Sequence, residues 1–232
     1  MLGRALAFLA ALSLPLSASA AVKADARNPT CPEAPNWGGT QPMQFSVREV
    51  SGKKVLAGEG AIDDNLIPRL TAALERHKPV DEIWLRSPGG NARIGNQAGM
   101  AIRKLGIPTR IPAGWACFSA CNFLFMGGPI RIVDPGGLFI VHMFTHTGDR
   151  QAIEAEVLRG TDNTVGLIGE IEQDSAMLAS EDNDFLIRMG VSRKLLTEVM
   201  YRQNAVSVDG RGSTRRCLTQ DEVHRYNVAN MR

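Results

Sequence analysis

After its first twenty residues, this 232-residue sequence has no stretch approaching the roughly 18 consecutive apolar residues that a membrane-spanning helix needs. An excess of charge is missing too. The net charge is only +2 and no basic run is interleaved with aromatic residues, which argues against nucleic acid or an anionic membrane surface as a partner. Internal repeats and low-complexity segments are absent, so solenoids and arrays drop out. Lysine is missing between Lys104 and Lys194, which leaves few positions for a lysine base. What remains is 44% hydrophobic and 22% charged, an ordinary globular composition, with length for one domain of about 200 residues and a full-sized core.

The first twenty residues differ from the rest. Arg4 gives a positive start, Ala5 to Leu16 is an apolar run too short to span a bilayer, and Ala18-Ser19-Ala20 is a small-residue cleavage site. The expectation is a signal peptide over 1–20, an extended arm over 21–41 rich in Pro, Ala, Asn and Gly, and one domain over 42–232. The mature protein is then periplasmic or secreted. An oxidising compartment permits disulfides, and Cys31, Cys117, Cys121 and Cys217 allow three pairings or four buried thiols. A Cys31–Cys217 bond would close a long loop and stabilise by about 2–4 kcal/mol, whereas Cys117 and Cys121, one helical turn apart, would constrain little backbone.

Along the chain, Gln44 to Val50 alternates and turns at Ser51-Gly52-Lys53 into Lys54 to Gly60, a hairpin. Asp63 or Asp64 caps a helix with a stripe of Leu66, Ile67, Leu70 and Leu74. Val80 to Leu85 is a strand ending in Arg86-Ser87-Pro88-Gly89-Gly90-Asn91. The helix after it turns Ile94, Met100, Ala101 and Leu105 inward and stops at Gly106. Short strands follow at Pro108 to Ile111, Arg131 to Val133 and Leu138 to Val141. Arg150 to Met189 is helical, broken near Gly160 to Thr164, and its apolar stripe suits an interface or a core equally. Ser192 caps a further helix, Asn204 to Arg216 is a polar loop, and Thr219 with Glu222 forms a capping box for the last helix. Alternating strands and helices predict a parallel α/β sheet.

The stretch from Gly114 to Gly128, GWACFSACNFLFMGG, sets Ser119 among small residues and cysteines at the start of a short apolar helix. A serine there is either a helix cap or a nucleophile served by free backbone N–H groups. Pro88-Gly89-Gly90 brings backbone N–H groups close to a ligand, as an oxyanion hole requires, or is an ordinary strand-to-helix turn. His142 ends a strand, where it is a general base or a structural histidine. In open α/β folds all three stand where sites are built.

These residues resemble the ClpP-like serine peptidases of the ClpP/crotonase superfamily. That family has an SPGG turn after a strand, a serine beside a small residue at a helix start, and an apolar strand ending in histidine. Here they are Ser87-Pro88-Gly89-Gly90, Ser119-Ala120 and Phe139-Ile140-Val141-His142, with 29 residues from Gly90 to Ser119 and 23 from there to His142. The resemblance covers about Val80 to His142 and is nearest to exported members with a C-x-S-A-C stretch.

It implies a ClpP/crotonase-like fold of repeated β-β-α units, Ser119 as nucleophile, His142 as base, and an oxyanion hole from the N–H groups of Gly90 and Ala120. The implied substrate is a peptide or protein, the implied assembly a homo-oligomer, and no cofactor is called for. Where the family has its aspartate this sequence reads Thr214-Arg215-Arg216-Cys217; Asp209 is the nearest acid, and Asp182 and Asp184 fit a solvated helix face better. Trp115 and Met143-Phe144 either line an apolar cleft or pack in the core. A zinc site from Cys117, Cys121, His142 and His146 is disfavoured because strands lie between the two pairs. A non-catalytic binding or assembly module on the same fold is the main rival, ahead of acyl-CoA chemistry. For a serine–lysine dyad only Lys194 is on offer.

Overall fold

The computed structural model describes residues 23–207 and 212–231. The expected signal peptide and Asp209 lie outside them. The hairpin forms as β1 (Gln44–Val50) and β2 (Lys53–Glu59), antiparallel with Val50 opposite Lys53. β3 (Glu82–Arg86), β4 (Thr109–Ile111) and β6 (Arg131–Val133) then add in parallel, giving a five-stranded sheet ordered β1-β2-β3-β4-β6. A second sheet holds β5 (Ala116–Phe118), β7 (Leu138–His142) and β8 (Arg215–Cys217), in the order β5-β7-β8. The two sheets meet where Ser87 bridges Cys117. Among the described residues no helix is long and apolar enough to cross a membrane.

The helices are α1 (Leu66–His77), α2 (Ala92–Leu105), α3 (Cys121–Gly127), α4 (Arg150–Leu158), α5 (Thr161–Met189) and α6 (Gln220–Arg225). In α1 the stripe of Leu66, Leu70 and Leu74 is buried as the spacing requires. Its cap differs from expectation. Neither the Asp63 nor the Asp64 side chain receives a helix N–H; the Asp63 carboxylate pairs with Arg69, and Asp64 accepts from the Asn91 amide at 2.8 Å.

The inner face of α2 is also not the expected one. Gly95, Ala98, Gly99 and Ile102 are buried, while Leu105 is 57% exposed and Ile94, Met100 and Ala101 sit at the edges. Close approach explains the reversal. A Cβ on Gly95 would lie 2.7 Å from the Ala120 carbonyl oxygen, and one on Gly99 2.3 Å from that of Phe123. Small residues win this face because α3 packs directly on the α2 backbone, and α3 carries the residues after Ser119.

Gly160 divides α4 from α5, and both helices leave large apolar side chains outside. Val157, Leu158, Val165 and Ile168 are 51%, 87%, 62% and 50% exposed, and only the far end of α5 enters the core, through Leu178, Phe185, Leu186 and Met189. The segment expected to be capped by Ser192 is a wide π-type turn, Leu195–Val199, continuing into a 3-10 turn, Met200–Arg202. The capping box at Thr219 and Glu222 forms as expected. A buried Arg131 ties the C-terminal tail to the sheet, donating to the carbonyls of Gly128, Met189, Asn227 and Val228.

Of the possible arrangements of the four cysteines, the pairing realised is Cys31–Cys217 and Cys117–Cys121. The arm is therefore no free linker. Asn28 Oδ1 accepts from the backbone N–H groups of Thr214 and Arg215, Thr30 Oγ1 accepts from Cys217 N–H, and Asp25 pairs with Arg215 at 2.7 Å. These contacts turn the end of the expected polar loop into β8, which pairs with β7 so that Arg215 lies opposite His142.

Candidate active site

Ser119 sits in the turn between β5 and α3, with φ of 57°. The helix cap position falls on Ala120, and Ala120 caps with no side chain. A non-glycine residue held at positive φ is uncommon, and such backbone clusters at functional sites. The neighbours over-determine the turn. The Ser119 N–H and the Asn122 amide both donate to the Ile140 carbonyl in β7, at 3.4 and 2.8 Å, and the Asn122 N–H donates to the Ser119 carbonyl at 2.9 Å. The Cys117–Cys121 bond closes the same turn from its two ends.

His142 ends β7, two residues after Ile140. Its Nε2 lies 2.7 Å from Ser119 Oγ. Behind the imidazole, Phe118 packs at 4.8 Å between ring centroids, and Trp37 from the arm stacks on Phe118 at 5.9 Å. Arg215 lies over Trp37 at 5.7 Å, so arm, β5, β7 and β8 meet in one column behind His142. Burial lowers the His142 pKa below its ordinary 6.5, partly offset by a hydrogen bond with the Met143 backbone. The imidazole is accordingly neutral near pH 7, the form that can accept a hydroxyl proton.

The glycine turn stands against this pair. Ser87 is fully buried; its N–H donates to Ala116 O, its carbonyl accepts from Phe118 N–H, and its hydroxyl accepts from Gly89 N–H at 3.0 Å. Gly89 and Gly90 have φ of 87° and 143°, closed to side chains, and a Cβ on Gly89 would fall 2.7 Å from Ser119 Cβ. Ile62 accepts from Asn91 N–H and donates to Gly89 O, which pins the turn on either side of Gly90. Among the described residues the N–H groups of Gly90 and Ala120 have no acceptor. Unsatisfied donors beside a hydroxyl–imidazole pair are what an oxyanion needs.

A narrow pocket with an unfilled volume of about 50 Å³ opens beside Ser119 and His142, walled mainly by Phe123, Met126, Phe144, Leu186, Leu196 and Met200. Phe144 thus lines the cleft. Trp115 does not; it packs edge-on against Trp84 at 6.2 Å beneath Arg48 and Arg86. Asp182 also lines the pocket, and burial pushes its carboxyl up to about 7, with the neighbouring Glu181 charge adding to the rise. The expectation of a solvated face fails for Asp182 and holds for exposed Asp184. The helical period of α5 alone did not show that the Leu195–Met200 segment folds over this turn. Among the described residues no carboxylate pairs with His142.

The other chemistries lose their residues. Cys117 and Cys121 are bonded to each other, so neither thiolate is free for zinc, and His146 lies 3.0 Å from Asp174. Lys194 is exposed and 3.6 Å from Glu198.

No family model and no curated protein matches the sequence. Among solved structures the chain is similar to a point mutant of ClpP1 from Listeria monocytogenes, at 13% identity, 76% of this chain and 88% of that one, with a TM-score of 0.52. A point mutant of a membrane-bound stomatin-specific protease follows at 15% identity, 76% and 75% coverage and a TM-score of 0.44. Methylmalonyl CoA decarboxylase follows at 14% identity, 39% and 44% coverage and 0.31. At such identities a likeness speaks to fold alone. With its mostly parallel sheet and flanking helices, the chain has an α/β fold like that of ClpP1.

Proposed function

We propose that this protein is an exported ClpP-like serine hydrolase, acting on peptides or proteins through an acyl-enzyme on Ser119. The observation that carries the reading is the 2.7 Å contact between Ser119 Oγ and His142 Nε2 at the mouth of an apolar pocket. In the first step Ser119 Oγ attacks the substrate carbonyl carbon while its proton passes to His142 Nε2. The N–H groups of Gly90 and Ala120 receive the oxyanion. His142 then gives the proton to the departing amine, the acyl-enzyme remains, and a water activated by the same imidazole releases the acid. Asp209 is our candidate to orient His142; without an acid the pair still turns over, more slowly.

The two disulfides fit an oxidising compartment, the periplasm or outside the cell, and a signal peptide over 1–20 fits with them. The exposed apolar side chains of α4 and α5 suit a homo-oligomer, which light scattering on the purified protein tests directly.

A serine-directed fluorophosphonate tests the chemistry. Labelling of the wild type that disappears in Ser119→Ala supports the reading. No labelling of the wild type, or equal labelling of the variant, replaces it with a non-catalytic binding or assembly module.

A further inference from the structure

The pocket beside Ser119 is apolar along its walls yet holds two polar groups that the protein leaves without partners. Asn122 is only 5% exposed; its amide nitrogen donates to the Ile140 carbonyl, and its Oδ1 is buried with no donor. Asp182 makes no hydrogen bond or ion pair among the described residues. A buried acceptor without a donor costs about 1–3 kcal/mol, more for a charge, so such groups are explained by what they meet when the site is filled.

The unused polar capacity of the pocket is one-sided. Asn122 Oδ1 accepts and an ionised Asp182 accepts, while the donors of the lining are the reacting Ser119 and His142, the Ala120 N–H assigned to the oxyanion and the second hydrogen of the Asn122 amide, none of which meets Asp182 among the described residues. The complement is a side chain with an apolar stem and a donor head. Among natural side chains an ammonium head offers three donors and a charge opposite to Asp182, and its compactness suits a narrow pocket better than the planar guanidinium. The raised pKa of Asp182 agrees, since it marks a carboxyl lacking a cation and would fall when one arrives; Glu181 and Tyr201 are the other titratable groups near it.

Resting on the acyl-enzyme reading above, we propose that this hydrolase prefers substrates with lysine on the acyl side of the cleaved bond, its stem along Phe123, Met126 and Leu186 and its ammonium between Asp182 and Asn122 Oδ1. Asp182 is then a specificity-determining residue and no part of the proton relay.

Two peptidyl phosphonate probes test this, identical except for lysine or norleucine at the acyl-side residue, beside a simple alkyl fluorophosphonate. At pH 8 the wild type should react with the lysine probe at least about tenfold faster than with the norleucine probe. Asp182→Asn, which keeps the shape and removes the charge, should abolish that preference, and Asp182→Leu should invert it. A norleucine probe as fast as lysine in the wild type, or a lysine preference that survives both substitutions, overturns the proposal. So does an equal loss with every probe in Asp182→Asn, which would make Asp182 a partner of His142. If the alkyl fluorophosphonate labels Ser119 and the peptidyl probes show no preference, this inference alone falls; if no probe labels Ser119, the acyl-enzyme reading falls with it.

Discussion

Ser119 Oγ and His142 Nε2 stand 2.7 Å apart although 23 residues separate them, and Ile140 of β7 links the two. The serine turn hangs from its carbonyl, and His142 follows it two residues along the same strand. The distance between the groups is thus set by a rigid strand rather than by two loops. Replacing Ser119 by Ala should remove fluorophosphonate labelling completely. His142→Gln should keep the fold and slow labelling by about a thousandfold or more, as expected for loss of the base. A His142→Gln rate within tenfold of wild type would argue that the imidazole is a bystander.

The pH dependence follows from burial. The folded pKa of His142 lies below 6.5, so the folded state resists protonation more than the unfolded chain does. Below about 6.5 the unfolded state binds more protons, and stability falls as pH drops through the window between the two values. Labelling should show an acid limb in that window, with its midpoint under 6.5, because only the neutral imidazole accepts the serine proton. Rate measurements from pH 4.5 to 8 check this; a midpoint above 6.5 would point to a carboxylate beside the ring.

Two glycine substitutions should act with opposite sign. Gly99→Ala puts a Cβ 2.3 Å from the Phe123 carbonyl, a backbone atom that cannot step aside. It should cost about 1–3 kcal/mol by overpacking, larger than the helix propensity gained. It should also slow labelling, since α3 and the serine turn move together. On α5, a Cβ at Gly166 meets nothing, so Gly166→Ala should stabilise by about 0.5–1 kcal/mol. Thermal melts of both variants decide the matter.

Opening Cys31–Cys217 by a double serine substitution should cost about 2–4 kcal/mol, because the bond spans 186 residues of chain. Labelling should fall as well, since the bond holds β8 beside β7 and the arm behind Phe118 and His142. Removing Cys117–Cys121 with two alanines should cost far less stability, its loop being only four residues, while loosening the turn at Ser119. Equal stability losses in the two variants would contradict this division.

Much of the fold was legible because strands and turns here obey local rules: the hairpin at Ser51-Gly52, the Gly106 stop and the Thr219 capping box each rest on neighbouring residues. Ser119, His142 and the glycine turn were legible because each ends or follows a strand. What escaped depends on tertiary contact. The inward face of α2 is set by the α3 backbone, so Gly95 and Gly99 displaced the larger Met100 and Leu105. The cap of α1 was misplaced because Asp63 and Asp64 are claimed by Arg69 and Asn91. The end of the polar loop became β8 through Asn28, nearly two hundred residues away. Asp182 sits in a polar-looking helix stretch, and only the fold of the Leu195–Met200 segment reveals what it faces.

The bond between Cys31 and Cys217 also sets an order in time. A chain made from its N-terminus presents Cys31 early and must hold that thiol through the emergence of Cys117 and Cys121 before its partner exists. Those two arrive together, already within reach of one another. The turn around Ser119 is therefore able to close while synthesis continues, whereas the strand opposite His142 is locked only once Cys217, about a hundred residues later, has appeared.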